Sequence, residues 1–334
     1  MSNNEVIRAF EILRERLMQM DESSKSELVD KTYSLNPWFT PDSVLAALDG
    51  IIKMLSSDLN EWLSNYTFNP SQKRVGAVMA GNIPAVGFHD LLCVLVSGNK
   101  LVAKLSEKDS SLISYFLDQL IDIEPRLKER IDIVDRLAGL DAVIATGSDN
   151  TARYFEYYFK NYPHIIRKNR TSVAILNGEE TTSDFQHLGR DIFLYFGLGC
   201  RNVSKLYVPL AYDFSTMLAT YEQYDHIISH HKYRNNYDYN KSIYLVNKEP
   251  HLDNGVLLLK QDNNLVSPIS VLFYNFYSSQ EELQKLLKAD EHKIQCFVSQ
   301  GGFWEDSIPL GQAQSPGLTD YADRVDTMEF LAKL

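Results

Sequence analysis

Apolar residues first recur at helical spacing: Val6, Phe10, Leu13 and Leu17 stand three or four apart, so residues from about 4 to 65 read as helical. Within that stretch Asp42-Ser-Val-Leu-Ala-Ala-Leu48 opens with an N-cap candidate after Pro41. These helices are expected to form a packing layer. The segment Tyr66–Lys73, with Asn69-Pro70-Ser71, reads as a loop leading into a different pattern.

From Arg74 short apolar runs alternate with helical ones. Val75–Ala80 predicts a strand ending in Gly81-Asn82-Ile83-Pro84, and a helix through Leu91, Leu92 and Leu95 follows. Leu101–Leu105 is the next strand, Ser110–Leu120 a helix, and Ile131–Val134 a strand. Asp141–Ala145 is a further strand, turning at Thr146-Gly147-Ser148 into a helix through Arg153 and Tyr157. Such alternation predicts βαβ units and a mostly parallel sheet, hence an α/β fold. Ligands bind such sheets at the carboxyl ends of the strands, which here carry Asn82, Lys104 and Gly147-Ser148. No G-x-G-x-x-G run is present, so an ordinary Rossmann dinucleotide turn is not supported.

In the second half, Ser172–Leu176 predicts a strand and Asn177-Gly178 leads towards a helix whose Leu188, Ile192 and Tyr195 share a face. That helix ends in Gly197-Leu-Gly199-Cys200, and Leu206–Val208 starts a strand closed by Pro209. Tyr233–Asn240 reads as an exposed loop, followed by strands at Ser242–Val246, Gly255–Leu259 and Ser270–Phe276. Gln280–Lys288 reads as a helix, Ile294–Val298 as a strand, Ile308–Gly317 as a loop and Thr327–Leu331 as a short terminal helix. There is no internal repeat and no low-complexity segment.

Composition narrows the class. Of 334 residues 44% are hydrophobic and 23% charged, ordinary for a globular protein of about two domains. A net charge of −11 without a basic stripe argues against nucleic acid as a partner. The cysteines, at 93, 200 and 296, have neither disulfide nor metal-ligand spacing, the pattern of a reducing cytoplasm. No basic n-region followed by an apolar run stands at the start, so a signal peptide is not expected, and the longest apolar stretch, Leu91–Val96, is too short to span a bilayer.

Cys200 carries the sharpest chemistry. Paired glycines permit a turn that presents the sulfur beside backbone N–H groups, and Arg201 next to it favours a larger thiolate fraction. The competing reading is a buried structural cysteine. His226 and the His230-His231 pair lack a second ligand pair at metal spacing, so a solvated cluster is expected and no metal. His89-Asp90 are adjacent on a helix and point apart, which favours packing or capping over acid–base work. Lys104 is either a phosphate or ribose contact or a surface lysine. Asn82 is either a turn former or an amide donor aimed into a site.

Taken together these stretches resemble the aldehyde dehydrogenase superfamily, and within it the LuxC-type acyl-CoA reductase branch. The resemblance runs from about Arg74 to the C-terminus. Asn82-Ile83-Pro84 is similar to the superfamily's Asn-Phe-Pro turn, whose asparagine supplies an oxyanion donor. Gly98-Asn99 before Leu101–Lys104 resembles its strand ending in a cofactor-ribose lysine, and Gly147-Ser148 the turn beside the cofactor phosphates. Gly197-Leu-Gly199-Cys200 resembles the approach to the nucleophile. Ser267-Pro268 and Ile308-Pro-Leu-Gly311 resemble two later landmarks, while Phe196–Asn202 and Asp320-Tyr-Ala-Asp323 look specific to the acyl-CoA reductase branch. Two departures stand out. Ile165–Arg170 occupies the region of the Glu-Leu-Gly-Gly motif whose glutamate activates water, and Asn264–Pro268 replaces the Glu-Ile-Phe-Gly-Pro motif that grips the nicotinamide ribose.

The resemblance implies four parts: an N-terminal helical layer over 1–70, a parallel-sheet cofactor-binding domain over 71–187, a second α/β catalytic domain over 188–302, and a tail, 303–334, packing back on the cofactor domain. It implies NAD(P)H-dependent reduction of a fatty acyl thioester to the aldehyde through an acyl-enzyme on Cys200, with Asn82 as oxyanion donor. The cofactor residues are then Lys104, Glu107, Gly147 and Ser148. NADPH is the expected cofactor and NAD the alternative, because an acidic Glu107 at the ribose would repel a 2′-phosphate. The implied partners are acyl-CoA or an acyl-carrier thioester, with self-association or acyl-transfer subunits as further expectations. Two rival readings are a non-catalytic scaffold subunit of a fatty-acid reductase complex, and an aldehyde dehydrogenase run in the oxidative direction. The first fits poorly with the joint presence of Cys200, Asn82 and Lys104. The second fits poorly with the missing glutamate.

Overall fold

A computed structural model describes all residues, Met1–Leu334. The chain forms two compact units, residues 1–169 with 316–334, and residues 170–315.

In the first unit, α1 (Asn3–Met18), α2 (Glu22–Leu35), α3 (Pro41–Leu55) and α4 (Leu59–Ser64) precede the sheet. The anticipated face of α1 is buried: Val6, Phe10, Leu13 and Leu17 are at most 3% exposed. Ser2 and Glu5 close a capping box at its start. Thr40 caps α3 by accepting from Ser43 N–H, and Pro41 fills the first helical position; the expected cap, Asp42, lies inside the helix. There follow β1 (Arg74–Val78), α5 (Phe88–Val96), β2 (Lys100–Lys104), α6 (Ser110–Ile123), β3 (Ile131–Ile133), β4 (Ala142–Thr146), α7 (Asp149–Phe159) and β5 (His164–Arg167). The five strands are parallel, in the order β3-β2-β1-β4-β5. The order reverses direction between β1 and β4, the switch point at which doubly wound sheets open a ligand crevice. β5 falls in the stretch that sequence marked only by a missing glutamate. Its Arg167 is 5% exposed and donates to Asp90 of α5 at 2.7 Å and to Thr327 Oγ1 at 2.9 Å. Removing one partner of such a buried pair typically costs about 3–5 kcal/mol.

The second unit contains β6 (Thr171–Ile175), α8 (Thr182–Phe193), β7 (Val203–Pro209), α9 (Ser215–Tyr221), α10 (His231–Val246), β8 (Leu252–Asp253), β9 (Leu258–Gln261), β10 (Val271–Tyr277), α11 (Gln280–Asp290), β11 (Ile294–Ser299) and β12 (Ser307–Pro309). Its sheet runs β12-β11-β6-β7-β10-β9-β8, parallel except for the β8–β9 pair. The chain then returns to the first unit, where α12 (Thr327–Ala332) packs.

Three expectations change. The divisions at 187/188 and 302/303 differ from those of the compact units, because β6 pairs with β7 and β11, and β12 pairs with β11, all in the second sheet. The loop at 233–240 and the strand at 242–246 are one helix, α10. Tyr233, Tyr237, Asn240 and Tyr244 lie on one buried face at helical spacing. Tyrosines supply apolar rings there and keep their hydroxyls paired, as Tyr233 OH does with Val256 O at 3.0 Å. The strand expected at 255–259 starts later, at Leu258, because Gly255 takes a φ of 86° and Asn254 Oδ1 accepts from the N–H groups of Val256 and Leu257.

Candidate active site

Helix α8 does not run straight into the cysteine. Its last residues give way to Tyr195 and Phe196, both in the left-handed region with φ of 61° and 56°, and Gly197 continues it at 78°. Glycine is at home in that conformation; the two aromatic residues pay roughly 1–2 kcal/mol each. Strain of this kind persists only where the surroundings over-determine it. Here Asn202 does so. Its side chain is 1% exposed, and its Oδ1 accepts from Gly199 N–H at 2.8 Å. Its Nδ2 donates to the carbonyls of Asp191, Ile192 and Leu194 at 3.0, 3.3 and 2.6 Å. Those are the carbonyls that a helix end leaves without partners. One amide thus ties the end of α8 to the residue before the nucleophile.

Asp191 fixes the same helix end from its other side. Its carboxylate accepts from the N–H groups of Gly311 and Ala313 at 2.6 and 3.1 Å. Burial nevertheless pushes it up to about 7. The Phe196 ring packs against His230, with centroids 4.6 Å apart, and lines a pocket of about 340 Å³, mouth included, with Ile192, Phe193, Gly197 and Ser270. His230 itself caps α10 by accepting from Tyr233 N–H at 3.3 Å.

At the end of this turn Cys200 and Arg201 are half-buried. Ser172 Oγ of β6 donates to the Cys200 carbonyl at 3.1 Å and lies 3.0 Å from Cys296 Sγ. Cys93 and Cys296 are both buried, and burial pushes the Cys93 thiol well up. Cys200 is therefore the cysteine that reagents reach most readily.

The other candidates belong to the first unit and gather at one end of its sheet. Asn82 follows β1, Lys104 ends β2 with Glu107 three residues on, and Gly147-Ser148 follows β4. These three strands are adjacent, with β1 between the other two. Asn82, Lys104, Glu107 and Ser148 are all exposed. Ser148 caps α7, accepting from Thr151 N–H at 3.3 Å. Gly147 sits so close to that helix that a Cβ would lie 3.0 Å from both Thr151 and Phe155. An exposed lysine and, two strands away at the same end of the sheet, a tight turn into a helix N-terminus are groups of the kind that meet phosphates. Asp149, in the first turn of α7, sets a negative charge nearby.

The Asn82 turn has its own brace. Ala85, three residues on, has a φ of 57°, and its N–H donates to Asp109 Oδ2 at 2.7 Å. His89 Nε2 lies 2.9 Å from Leu318 O and Asp90 pairs with Arg167, so the His89-Asp90 pair packs helix α5. Sequence reasoning missed Asn202, Asp191 and Asp109 as site residues. Asn202 stood inside a quoted motif, but a lone asparagine gives no sign of the four groups it joins.

The fold and this arrangement place the molecule among proteins built like aldehyde dehydrogenases. The aldehyde dehydrogenase of Bacillus cereus, solved as an NAD+ complex, matches with a TM-score of 0.64 at 12% identity, over 90% of this chain and 72% of that one. The NAD-dependent aldehyde dehydrogenase of Sinorhizobium meliloti matches at 0.68 and 11%, over 92% and 72%. An NADP-dependent enzyme of E. coli matches at 0.66 and 11%, over 90% and 73%. At such identities the likeness shows the fold. No curated protein matches the sequence. The profile of the acyl-CoA reductase (LuxC) family matches residues 6–219, and the chain belongs to that family. It is an oxidoreductase of the acyl-CoA and aldehyde level, and the scaffold and oxidative readings are not favoured. No helix is long and apolar enough to cross a membrane.

Proposed function

We propose that this protein reduces a fatty acyl thioester, carried on CoA or an acyl carrier, to the aldehyde, with Cys200 as nucleophile and NADPH as the preferred cofactor. The observation that carries the reading is the strained, amide-clamped turn that ends at the most accessible of the three cysteines.

The Cys200 thiolate attacks the thioester carbonyl carbon, a new C–S bond forms, and the carrier thiolate leaves. Asn82 Nδ2 and the Cys200 backbone N–H hold the oxyanion of this step; in comparable sites one such donor is worth roughly 3–4 kcal/mol. Bound reduced nicotinamide supplies the hydride that takes the acyl carbon to the aldehyde level. Collapse of the thiohemiacetal on Cys200 releases the aldehyde and restores the thiolate. Lys104 and the Gly147-Ser148 turn hold the dinucleotide phosphates or ribose. Lys104 is exposed at the end of its strand and Glu107 is exposed beyond it, so the ammonium can meet a 2′-phosphate while the carboxylate turns to water.

Incubation with acyl-CoA of graded chain length and no cofactor tests the covalent step. Intact-mass analysis should show one acyl group on the wild-type protein, mapped to Cys200, and NADPH should then release the aldehyde. An adduct on Cys93 or Cys296, or none at any chain length, overturns the assignment.

A further inference from the structure

Asp109 is 2% exposed and sits at the N-cap of α6, yet its side chain makes no capping hydrogen bond. An aspartate at that position ordinarily accepts from the helix's own first turn. Here its close hydrogen bond goes away to Ala85 N–H, while its second oxygen is buried with the Leu112 N–H near it but short of hydrogen-bond geometry. Leaving a carboxylate oxygen buried and unpaired is unfavourable, so the arrangement needs a compensating gain.

The surroundings show what it holds. Ala85 adopts a φ of 57°, which an alanine does not keep unaided. A Cβ on Gly81 would lie 2.4 Å from Ser106 Oγ and 2.7 Å from Ser106 Cβ, so only glycine lets the Ser106–Asp109 segment lie against the turn. That segment is anchored on both sides. Met79 N–H donates to Lys104 O at 3.1 Å, and Asn36 Nδ2 donates to Lys108 O at 3.3 Å. Asn82 lies between the two braced points, Gly81 and Ala85.

We infer that Asp109 is a positioning residue for Asn82: its carboxyl holds Ala85 N–H and so keeps the Gly81–Ala85 turn, and the amide it carries, in one place while the oxyanion forms. This rests on the oxyanion role proposed above for Asn82. Burial pushes the Asp109 carboxyl up to about 8, with the N–H groups of Ala85 and Leu112 opposing it. Charged or neutral, it keeps an oxygen able to accept from Ala85, so the brace is geometric. A donor that acts on charge developing in the transition state must be placed beforehand, and loosening it lowers kcat more than it raises KM.

The test compares kcat and KM, with acyl-CoA and NADPH, for Asp109→Asn, Asp109→Leu, Asn82→Ala and the Asn82→Ala/Asp109→Leu double variant. Asp109→Leu should lower kcat roughly 10- to 100-fold with KM within about threefold. Asp109→Asn keeps an acceptor oxygen and should stay within about threefold of wild type. The double variant should be no slower than Asn82→Ala, because both changes remove one interaction. If the two effects multiply, or if Asp109→Asn is as slow as Asp109→Leu, the positioning role is overturned. If Asn82→Ala alone leaves kcat unchanged, the oxyanion reading has failed whatever Asp109 does. Should Asp109→Leu not fold, Asp109→Thr caps α6 with a shorter acceptor and carries the same prediction and the same overturning result.

Discussion

The turn before Cys200 and the turn after β1 solve the same problem with different side chains. Each holds non-glycine residues in the left-handed region, Tyr195 and Phe196 in one, Ala85 in the other. Each is tied by buried polar side chains, Asn202 with Asp191 behind it in the first and Asp109 in the second. Asn202 is neutral, and both ends of its amide are hydrogen-bonded. Asp109 is a carboxyl with one oxygen paired and the other short of a well-formed hydrogen bond. A satisfied amide holds its shape at any ordinary pH. A buried carboxyl is costly to ionise, so titration reaches the second turn directly through Asp109 and the first only through Asp191 at the end of α8.

The largest test of the comparison removes the chemistry and leaves the clamp. Cys200→Ser should cut acylation at least roughly 10³-fold, because a neutral hydroxyl is a far poorer nucleophile than a thiolate, while Asn202 still orders the turn. Radiolabelled acyl-CoA measures the adduct and thermal melting the fold. Labelling at the wild-type level would remove Cys200 from the mechanism.

Next comes the donor itself. Asn82→Ala should lower kcat roughly 10²- to 10³-fold with little change in KM. A change confined to KM in steady-state kinetics would make Asn82 a turn former only.

Breaking the neutral clamp should affect stability and rate together. Asn202→Ala leaves Gly199 N–H and the end of α8 without their partner, and should cost about 2–4 kcal/mol in denaturant unfolding and roughly 10-fold or more in acylation. Full activity in that variant would show that the strain at Tyr195 and Phe196 holds without it.

The pH response should report the buried carboxyls behind both turns, and the Asp109 variant should single out the second. Asp109 and Asp191 are pushed to about 8 and about 7 by burial, above an unfolded value near 4. Groups raised in this way favour folding most below pH 4, and that contribution is lost as pH rises through 7 and 8. Each can lower stability by at most about 1.4 kcal/mol per pH unit over its window. Melting temperature should therefore fall between pH 5 and 8, and Asp109→Asn should flatten the decline. A rise over that range, or an unchanged slope in the variant, contradicts the assignment.

The smallest effect concerns the cofactor. Glu107→Gln should raise kcat/KM for NADPH over NADH by a few-fold to roughly 10-fold, because it removes a negative charge near the ribose region. If wild type prefers NADH and the variant reverses that preference, Glu107 reads the ribose and NADPH is the wrong choice.

Much of this was visible along the chain. The alternation from Val75 to Tyr157 marked a parallel sheet, and it placed Asn82, Lys104 and Gly147-Ser148 after three strands before those strands were known to be neighbours. Helix α10 was not visible, because Tyr233, Tyr237 and Asn240 bury a face rich in polar atoms and leave no apolar stripe. β5 was hidden for a related reason: Arg167 is buried only because Asp90, far away in sequence, neutralises it.

By itself, then, the sequence determined the elements whose cause is local: hydrophobic period, glycine-bearing turns and a cysteine at the end of a helix. Only the tertiary structure decided which polar residues became braces. Asp109 reads as one more acid in Ser106–Ser110, and Asn202 as a turn residue after a cysteine. Their roles depend on which backbone groups folding buries within 3 Å of them, Ala85 N–H for one and the end of α8 for the other. Hydrogen bonds act at contact range, and contacts between distant segments exist only once the chain has packed.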